Sequence, residues 1–580
     1  MLKRYLPVLQ WLPYYRRELF SHDLTAGLIV AIMVIPQSLA YALLAGLPAV
    51  IGLYASILPV FAYTLFGSSR TLAVGPVAIV ALMTAAALAG VATPGSSEYI
   101  AGALVLSLLS GLMLTVMGFL RLGFFANFLS HPVISGFLSA SGILIAASQA
   151  AHLLGIDGAG FTLPTLLANL AAQLDDTNLA TLAISAFTLT FLLGMRRYGR
   201  QSLKRIGLPA KLADLTAKAG PVFAVVLTTL ATWRFDLVAD GVAVVGNVPA
   251  GLPPLTLPDF APSLWYSLLV PALLISIVGF VESVSMGQML AAKRRERISP
   301  DQELIGLGTA NLAASVTGGM PVTGGLSRTV INFDAGARTP IAGVVAALGI
   351  GLVTLFFTPW IYYLPTATLA ATITVSILTL VDIAVMRRTW RYSKGDFSAL
   401  LATLLLTLME GVETGIIAGV SLSIALFLYR TSHPHSALVG RVPGTEHFRN
   451  VARHQVESHE QVALLRIDES LYFANARYLE DTLYTLVAER PQLRHTVLIC
   501  SAVNLIDASA LESLEAINAR LKDSGVTLHL AEVKGPVMDR LKHSDFLETL
   551  TGRVFLSTYA AWSALRPSMA SSNEPMRPLG

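Results

Sequence analysis

Between Asp23 and Arg430 the chain is an almost unbroken series of apolar runs, and this series limits the possible folds more than any other feature. A bilayer span needs about twenty apolar residues, and fewer where it stops inside the protein. Candidate runs fall at 23–45, 51–66, 75–92, 99–120, 131–151, 177–194 and 219–235, then at 262–290, 303–316, 327–335, 340–361, 367–385, 396–410 and 411–430. They number twelve to fourteen, because 303–335 is too polar to assign by hydropathy alone. Charge agrees with this reading. Soluble domains carry about a quarter of their residues as Asp, Glu, Lys or Arg, whereas this chain carries 13%. Residues 1–429 hold only 24 of the 40 Lys and Arg and 19 of the 36 Asp and Glu. A wholly water-soluble enzyme, a disordered chain and a fibrous repeat are excluded. The composition predicts a polytopic α-helical membrane protein with a soluble C-terminal part.

Basic residues cluster at Lys3, Arg4, Arg16 and Arg17, from Arg196 to Lys218, from Lys293 to Arg297, and from Arg387 to Lys394. The loops between them hold Glu98, Asp157, Asp175, Asp176, Asp236, Asp240 and Asp259, with Arg234 as their one basic residue. Positive residues stay on the cytoplasmic side, so with fourteen elements both termini are predicted to be cytoplasmic. The same placement explains the net charge of +4 as a topology signal, and no nucleic-acid partner is expected. The first run passes directly into further spans and is expected to be retained. The single Cys500 lies in an apolar run and predicts a buried, inert thiol. The histidines show no metal-ligand spacing, and no cofactor or metal is expected.

Two groups of seven runs suggest an internal duplication, with repeats at about 23–236 and 262–432. A short echo points the same way: Gly67-Ser68-Ser69-Arg70-Thr71 against Gly324-Gly325-Leu326-Ser327-Arg328-Thr329. Discontinuous helices at matched positions of two halves point to a midplane substrate site. A half-helix that begins inside the bilayer offers unpaired N–H groups and the positive end of its dipole to an anion. Candidate starts are Gly75-Pro76-Val77-Ala78 and Ser327-Arg328-Thr329; the alternative is two tight turns between ordinary spans. Arg328 would support the anion by charge and hydrogen bonds, or serve as a boundary arginine that sets topology. Glu282 stands well inside a span, where a carboxylate is costly unless paired, protonated or wetted. That suits a proton carrier; a static helix–helix anchor is the alternative. Glu410 and Glu413 flank a break between late spans, which favours a structural role. In the first span Pro36 is expected to interrupt the helix, with Gln37 and Tyr41 four apart on one face.

From Val462 the periodicity changes. Strands are predicted at 462–467, 496–500, 526–530 and 554–556, with helices at 475–489, 507–522 and 537–541. This is an α/β domain with one sheet. The expected divisions are a cytoplasmic segment 1–22, a membrane domain 23–432, a linker 433–460, the α/β domain 461–566 and a disordered tail 567–580.

Pro36 to Tyr41, Gly46-Leu47-Pro48-Ala49-Val50-Ile51-Gly52-Leu53-Tyr54 and Gly75-Pro76 together resemble the N-terminal signature of the sulfate permease (SulP) anion transporters. Gly279-Phe280-Val281-Glu282-Ser283 and Pro321 to Thr329 resemble the family's second-half motifs, and the tail resembles a STAS domain. The resemblance implies fourteen elements in two inverted seven-span repeats, divided into core and gate domains. It implies an anion site made by Gln37, Tyr41, Gly75, Pro76, Val77, Ala78, Ser327 and Arg328, with ion coupling at Glu282. It also implies a homodimer, elevator-type movement of the core, and a STAS domain able to bind a cytoplasmic protein. One departure stands out: Asp507-Ala508-Ser509-Ala510 has alanine where phosphorylatable STAS relatives carry the acceptor serine.

The expected function is proton-coupled import of a small anion across the inner membrane, sulfate first. A dicarboxylate such as fumarate or succinate, or bicarbonate, would suit the same backbone donors. A non-transporting sensor acting through the tail is the reading from another class. No nucleophile–base pair or metal cluster lies in the spans, so an enzyme is not expected.

Overall fold

The computed structural model describes the chain apart from residues 1–4, 128–129, 157, 159, 208 and 567–580. The acidic loop residue Asp157 and the tail expected to be disordered lie outside the described residues. The chain divides into two compact units, Met1–Ser423 and Ile424–Gly580.

Eight helices among the described residues are long and apolar enough to cross a membrane, and shorter apolar helices stand between them. The first seven elements are α1 (Arg17–Leu44), α2 (Ala49–Phe66, in two pieces), α3 (Ala78–Leu88), α4 (Ser97–Phe119), α5 (His131–Leu154), α6 (Leu179–Gly194) and α7 (Gly220–Arg234). The second seven are α8 (Pro262–Lys293), α9 (Pro300–Val316), α10 (Leu326–Ala335), α11 (Ile341–Phe356), α12 (Thr366–Ile377), α13 (Lys394–Glu410) and α14 (Val412–Ser432). A two-residue strand precedes each half-helix: β1 (Val74–Gly75) before α3 and β2 (Thr323–Gly324) before α10.

Packing shows the duplication directly. α1 lies on α11 as α8 lies on α4; α2 on α11 as α9 on α4; α5 on α13 as α12 on α6. Each pair maps onto the other when seven elements are added, and β1 pairs with β2 antiparallel, Val74 opposite Gly324 and Gly75 opposite Thr323. An antiparallel pair between equivalent segments is what an inverted repeat produces. The sequence echo is not part of this symmetry. Arg70 lies four residues before β1 and Arg328 four residues after β2. Arg70 is exposed and pairs with Glu296 at 3.5 Å, whereas Arg328 is buried.

Two expectations about the first span are corrected. α1 begins at Arg17, not Asp23, and runs unbroken through Pro36. Its early residues are polar, but Asp23 is fully buried because it caps the chain after α10: Arg338 N–H (2.7 Å) and Thr339 N–H (3.0 Å) donate to its Oδ1, and the Thr339 hydroxyl donates to Oδ2 at 2.5 Å. Gly52 is the close-approach residue of the Gly46–Tyr54 motif. A methyl there would collide with the Ser38 carbonyl, so only glycine lets α2 lie on α1 at that level.

The C-terminal unit holds a six-stranded sheet in the order β4-β3-β5-β6-β7-β8. Its strands are β3 (Ser436–Arg441), β4 (Phe448–Asn450), β5 (Val462–Ile467), β6 (His495–Ile499), β7 (Thr527–Ala531) and β8 (Val554–Phe555). β5 to β8 are parallel, and helices Ala476–Glu489 and Ala508–Asp523 connect them. Residues 433–460 are not a linker: β3 joins β5 and β4 joins β3, both antiparallel. Ala437 and Val439 alternate into the core as an edge-proximal strand requires, but Gly440 and the polar flanks hide the pattern in the sequence. Asp507 caps its helix, accepting from Ala510 N–H at 2.8 Å. Cys500 is buried, which pushes its thiol up to about 12.

His529 on β7 is 4% exposed, with Nε2 3.3 Å from Nδ1 of His495, and its own Nδ1 accepts from Arg553 N–H at 3.2 Å. Burial, with His495 and Arg553 adding, pushes it down to about 4. The folded ring is neutral while the unfolded ring takes a proton below about pH 6.5. Its contribution to stability is therefore complete above pH 6.5 and is lost as pH falls toward 4. The thermal midpoint of this unit should fall across that window, and His529→Phe should flatten most of the dependence; an equally steep profile in the variant would contradict this.

Candidate functional site

β1 and β2 are too short to satisfy the backbone around them, and each has non-helical chain on both sides. Buried away from water, those N–H and C=O groups need partners. Side chains of the second half supply most of them. Asn311 on α9 brackets Val322, accepting from its N–H at 2.9 Å and donating to its carbonyl at 2.8 Å. The Thr323 hydroxyl donates to the Gly279 carbonyl at 2.7 Å, and Ser283 Oγ accepts from Gly324 N–H at 2.8 Å. This explains the Gly279–Ser283 motif: glycine makes room for Thr323, and serine one turn later holds β2. The first half leans on the same elements. Thr329 Oγ1 accepts from Ala73 N–H at 3.1 Å, and Asn332 donates to the Thr71 carbonyl at 2.9 Å.

Arg328 belongs to this set. Its Nη1 donates to the Val74 carbonyl at 3.2 Å and its Nη2 to the Pro76 carbonyl at 2.9 Å, while Nε is buried without a partner. The guanidinium thus sits between the two halves, 4% exposed, braced on the chain that leads into α3. Two of its N–H groups are committed to backbone, so its charge is more available to an anion than its full hydrogen-bonding fork. A methyl on Gly75 would collide with this guanidinium, which is the physical reason for glycine at that position.

α3 starts at Ala78, three residues after β1, and α10 starts at Leu326, two residues after β2; neither has a side-chain cap. Their first-turn N–H groups therefore lie at the centre of the inverted repeat with no side chain closing them. Of the residues expected at the site, Gly75, Pro76, Val77 and Ala78 are buried beside Arg328, whereas Ser327 in the first turn of α10 is exposed. Gln37 and Tyr41, one turn apart on α1, are each 8% exposed, and Tyr41 lies within electrostatic range of both Arg328 and Glu282. Oε2 of Glu282 is buried without a hydrogen-bond partner. The structure therefore gathers Tyr41, Gly75, Pro76, Arg328 and Glu282 into one neighbourhood.

Sequence reasoning missed Glu303. It is 1% exposed, and its carboxylate accepts from the Tyr63 hydroxyl (2.8 Å), Ser68 N–H (2.8 Å), the Ser68 hydroxyl (2.7 Å) and Ser69 N–H (2.9 Å). It anchors the loop that feeds β1 from the opposite end to Arg328. An acidic residue in the first turn of a helix signals an N-terminus, and that ordinary signal concealed its reach to residues 235 positions earlier.

Residues 20–403 match the sulfate permease family and residues 453–561 match the STAS domain. The chain belongs to the sulfate permease family. It is 34% identical to sulfate transporter 4.1, chloroplastic, of Arabidopsis thaliana over 98% of this chain and 83% of that protein. It is 32% identical to a probable sulfate transporter of Mycobacterium tuberculosis over 96% of this chain and 97% of that protein. The fold matches the murine Solute Carrier 26 family member A9 anion transporter in the inward-facing state, with TM-score 0.87 at 24% identity, covering 97% of this chain and 94% of that one. It also matches the transmembrane domain of a cyanobacterium bicarbonate transporter, BicA, with TM-score 0.60 at 23% identity, covering 70% of this chain and 98% of that one. The chain is thus a multi-pass membrane protein of this family with a C-terminal STAS domain.

Gly75→Ala should displace the Arg328 guanidinium and lower the affinity for the transported anion about tenfold or more, equivalent to at least ~1.4 kcal/mol, in protein that elutes and unfolds as the wild type does. Equilibrium binding to detergent-solubilised protein checks this; unchanged affinity would remove the Gly75–Arg328 contact from the site.

Proposed function

We propose that this protein is a secondary active transporter that imports a small anion together with a proton, with sulfate the first substrate. The observation that carries the reading is the pair of uncapped half-helix starts, Ala78 and Leu326, placed either side of the antiparallel β1–β2 pair with Arg328 between the halves. Partial positive charge from two helix starts and one full charge suit a tetrahedral dianion, and several relatives bear the name sulfate transporter. Gln37 and Tyr41 would close the site from α1. Ser327, exposed at the start of α10, would face the arriving anion.

Glu282 is assigned as the proton carrier. It is within range of Tyr41, one residue from Ser283 that holds β2, and has an unpartnered buried oxygen. Taking up a proton there offsets charge brought in by the anion. Alternating access would move α1–α4 with α8–α11 as one body against α5–α7 and α12–α14, in an elevator-type motion. On this reading the protein works as a homodimer in the inner membrane, both termini cytoplasmic, with the STAS domain contributing to assembly and open to a protein partner. Asp507-Ala508-Ser509-Ala510 speaks against regulation by phosphoserine at the usual position.

The reading is tested by uptake of labelled sulfate, fumarate and bicarbonate into proteoliposomes, with and without an inward proton gradient. Wild-type protein should accumulate sulfate only with the gradient. Glu282→Gln should abolish accumulation while retaining sulfate binding. Gradient-driven uptake in that variant would overturn the coupling role, and accumulation of fumarate or bicarbonate in place of sulfate would overturn the substrate.

A further inference from the structure

The segment Ile383–Tyr392 is a ten-residue helix between two membrane elements, joined to α12 through residues 378–382 and to α13 through Ser393 alone. It packs on α5 and α13, yet none of its residues is buried. Its sequence divides around the helix. Ile383, Met386 and Trp390 recur at i, i+3 and i+7 as an apolar stripe, while Arg387 and Arg391 lie one turn apart beside it, with Arg388 on the same polar arc. Ile383 is 64% exposed and Trp390 50% exposed, and Lys394 places Nζ 3.2 Å from the Trp390 ring centroid. Among the described residues none of the three arginines takes part in an ion pair.

We infer that this helix is an anionic-lipid docking surface: Arg387, Arg388, Arg391 and Lys394 bind phospholipid headgroups of the adjoining leaflet, with Ile383 and Trp390 seated at the headgroup–acyl boundary. Three observations favour this occupant. Both ends of the segment run into membrane elements within a few residues, so the helix must lie at the edge of the bilayer. An exposed apolar stripe beside an arc of unpaired arginines is the pattern of an interfacial helix, with tryptophan at the depth it prefers. The charges are spread along an exposed surface rather than converging in a cavity, which matches a plane of anionic headgroups better than one soluble anion. Lys394 over Trp390 keeps one cation at the level of the ring. The helix belongs to the half-set formed by α5–α7 and α12–α14, so bound headgroups would tether that set to one leaflet. The inference depends only on the multi-pass membrane fold and not on which anion is carried.

The test is native mass spectrometry of the full chain in detergent, titrated in separate experiments with phosphatidylglycerol and phosphatidylcholine. Wild-type protein should retain phosphatidylglycerol adducts at concentrations at least fivefold lower than phosphatidylcholine. R387Q/R388Q/R391Q should lose that preference and R387K/R388K/R391K should keep it, with the elution profile and thermal midpoint unchanged in both. If the triple glutamine variant does not purify as a monodisperse species, R391Q/K394Q is used and should at least halve the preference. Equal retention of the two lipids by the wild type, or a preference unchanged in the glutamine variant, would overturn the inference. So would displacement of the lipid by an equimolar concentration of free glycerol phosphate, which would show a site for a soluble anion.

Discussion

Non-helical backbone in the middle of a membrane domain has no water to satisfy it, and the rest of this structure is arranged around that constraint. A protein that ends two helices at its midplane gains an anion site from their dipoles but exposes the chain leading into them. Here the two approaching segments satisfy part of the debt by pairing with each other, Val74 with Gly324 and Gly75 with Thr323. The remainder falls to side chains: Asn311 on Val322, Ser283 on Gly324, Thr329 on Ala73, Asn332 on Thr71, and Arg328 on Val74 and Pro76. Each of these holds the backbone so that the starts of α3 and α10 remain uncapped.

The two halves share a fold but not a division of labour. All of those polar side chains come from the second half, and they reach both its own strand and that of the first. The first half contributes backbone, small residues, the Tyr63 and Ser68 hydroxyls that meet Glu303, Ser69 Oγ accepting from the Thr71 and Leu72 N–H groups, and the α1 face bearing Gln37 and Tyr41. Glu303 extends the same asymmetry, since a second-half carboxylate fixes the loop Ser68–Ser69 ahead of β1. The core is therefore an interlocked body in which the first half-helix depends on the second.

Much of the architecture was legible in the sequence because apolar runs and basic loops are imposed by the bilayer itself. Twelve to fourteen elements follow from those patterns, the polar stretch 303–335 being the part that hydropathy leaves open, and the α/β alternation after Val462 follows from a separate change of periodicity. The start of α1 was not legible: a buried Asp23 reads as the end of a span unless its partners at Arg338 and Thr339 are known. β3 was hidden by Gly440 and its polar flanks and β4 by its three-residue length, and the pairing of β3 with β5 and of β4 with β3 is a tertiary matter. The echo around Arg70 and Arg328 misled for a related reason, since three matching residues carry no register and the symmetry lies in packing. Of the candidate site residues, Gly75, Pro76, Arg328 and Glu282 could be named from glycine, proline and charge inside apolar runs, and Tyr41 from its place one turn after Gln37 beside Pro36. Glu303 and Asn311 could not, because each acts on backbone far from or outside its own helix. Arg328 was expected to face the anion with its hydrogen bonds, and the structure shows part of that capacity spent on the chain.

The anion is expected between the two half-helix starts, and a structure of the protein with selenate, using anomalous scattering at the selenium edge, locates it directly. A single strong peak between the first turns of α3 and α10, beside Arg328 and within reach of Tyr41, is the result this account predicts. A peak elsewhere, or none at the half-helix starts when selenate binding is demonstrated in the same preparation, would contradict it.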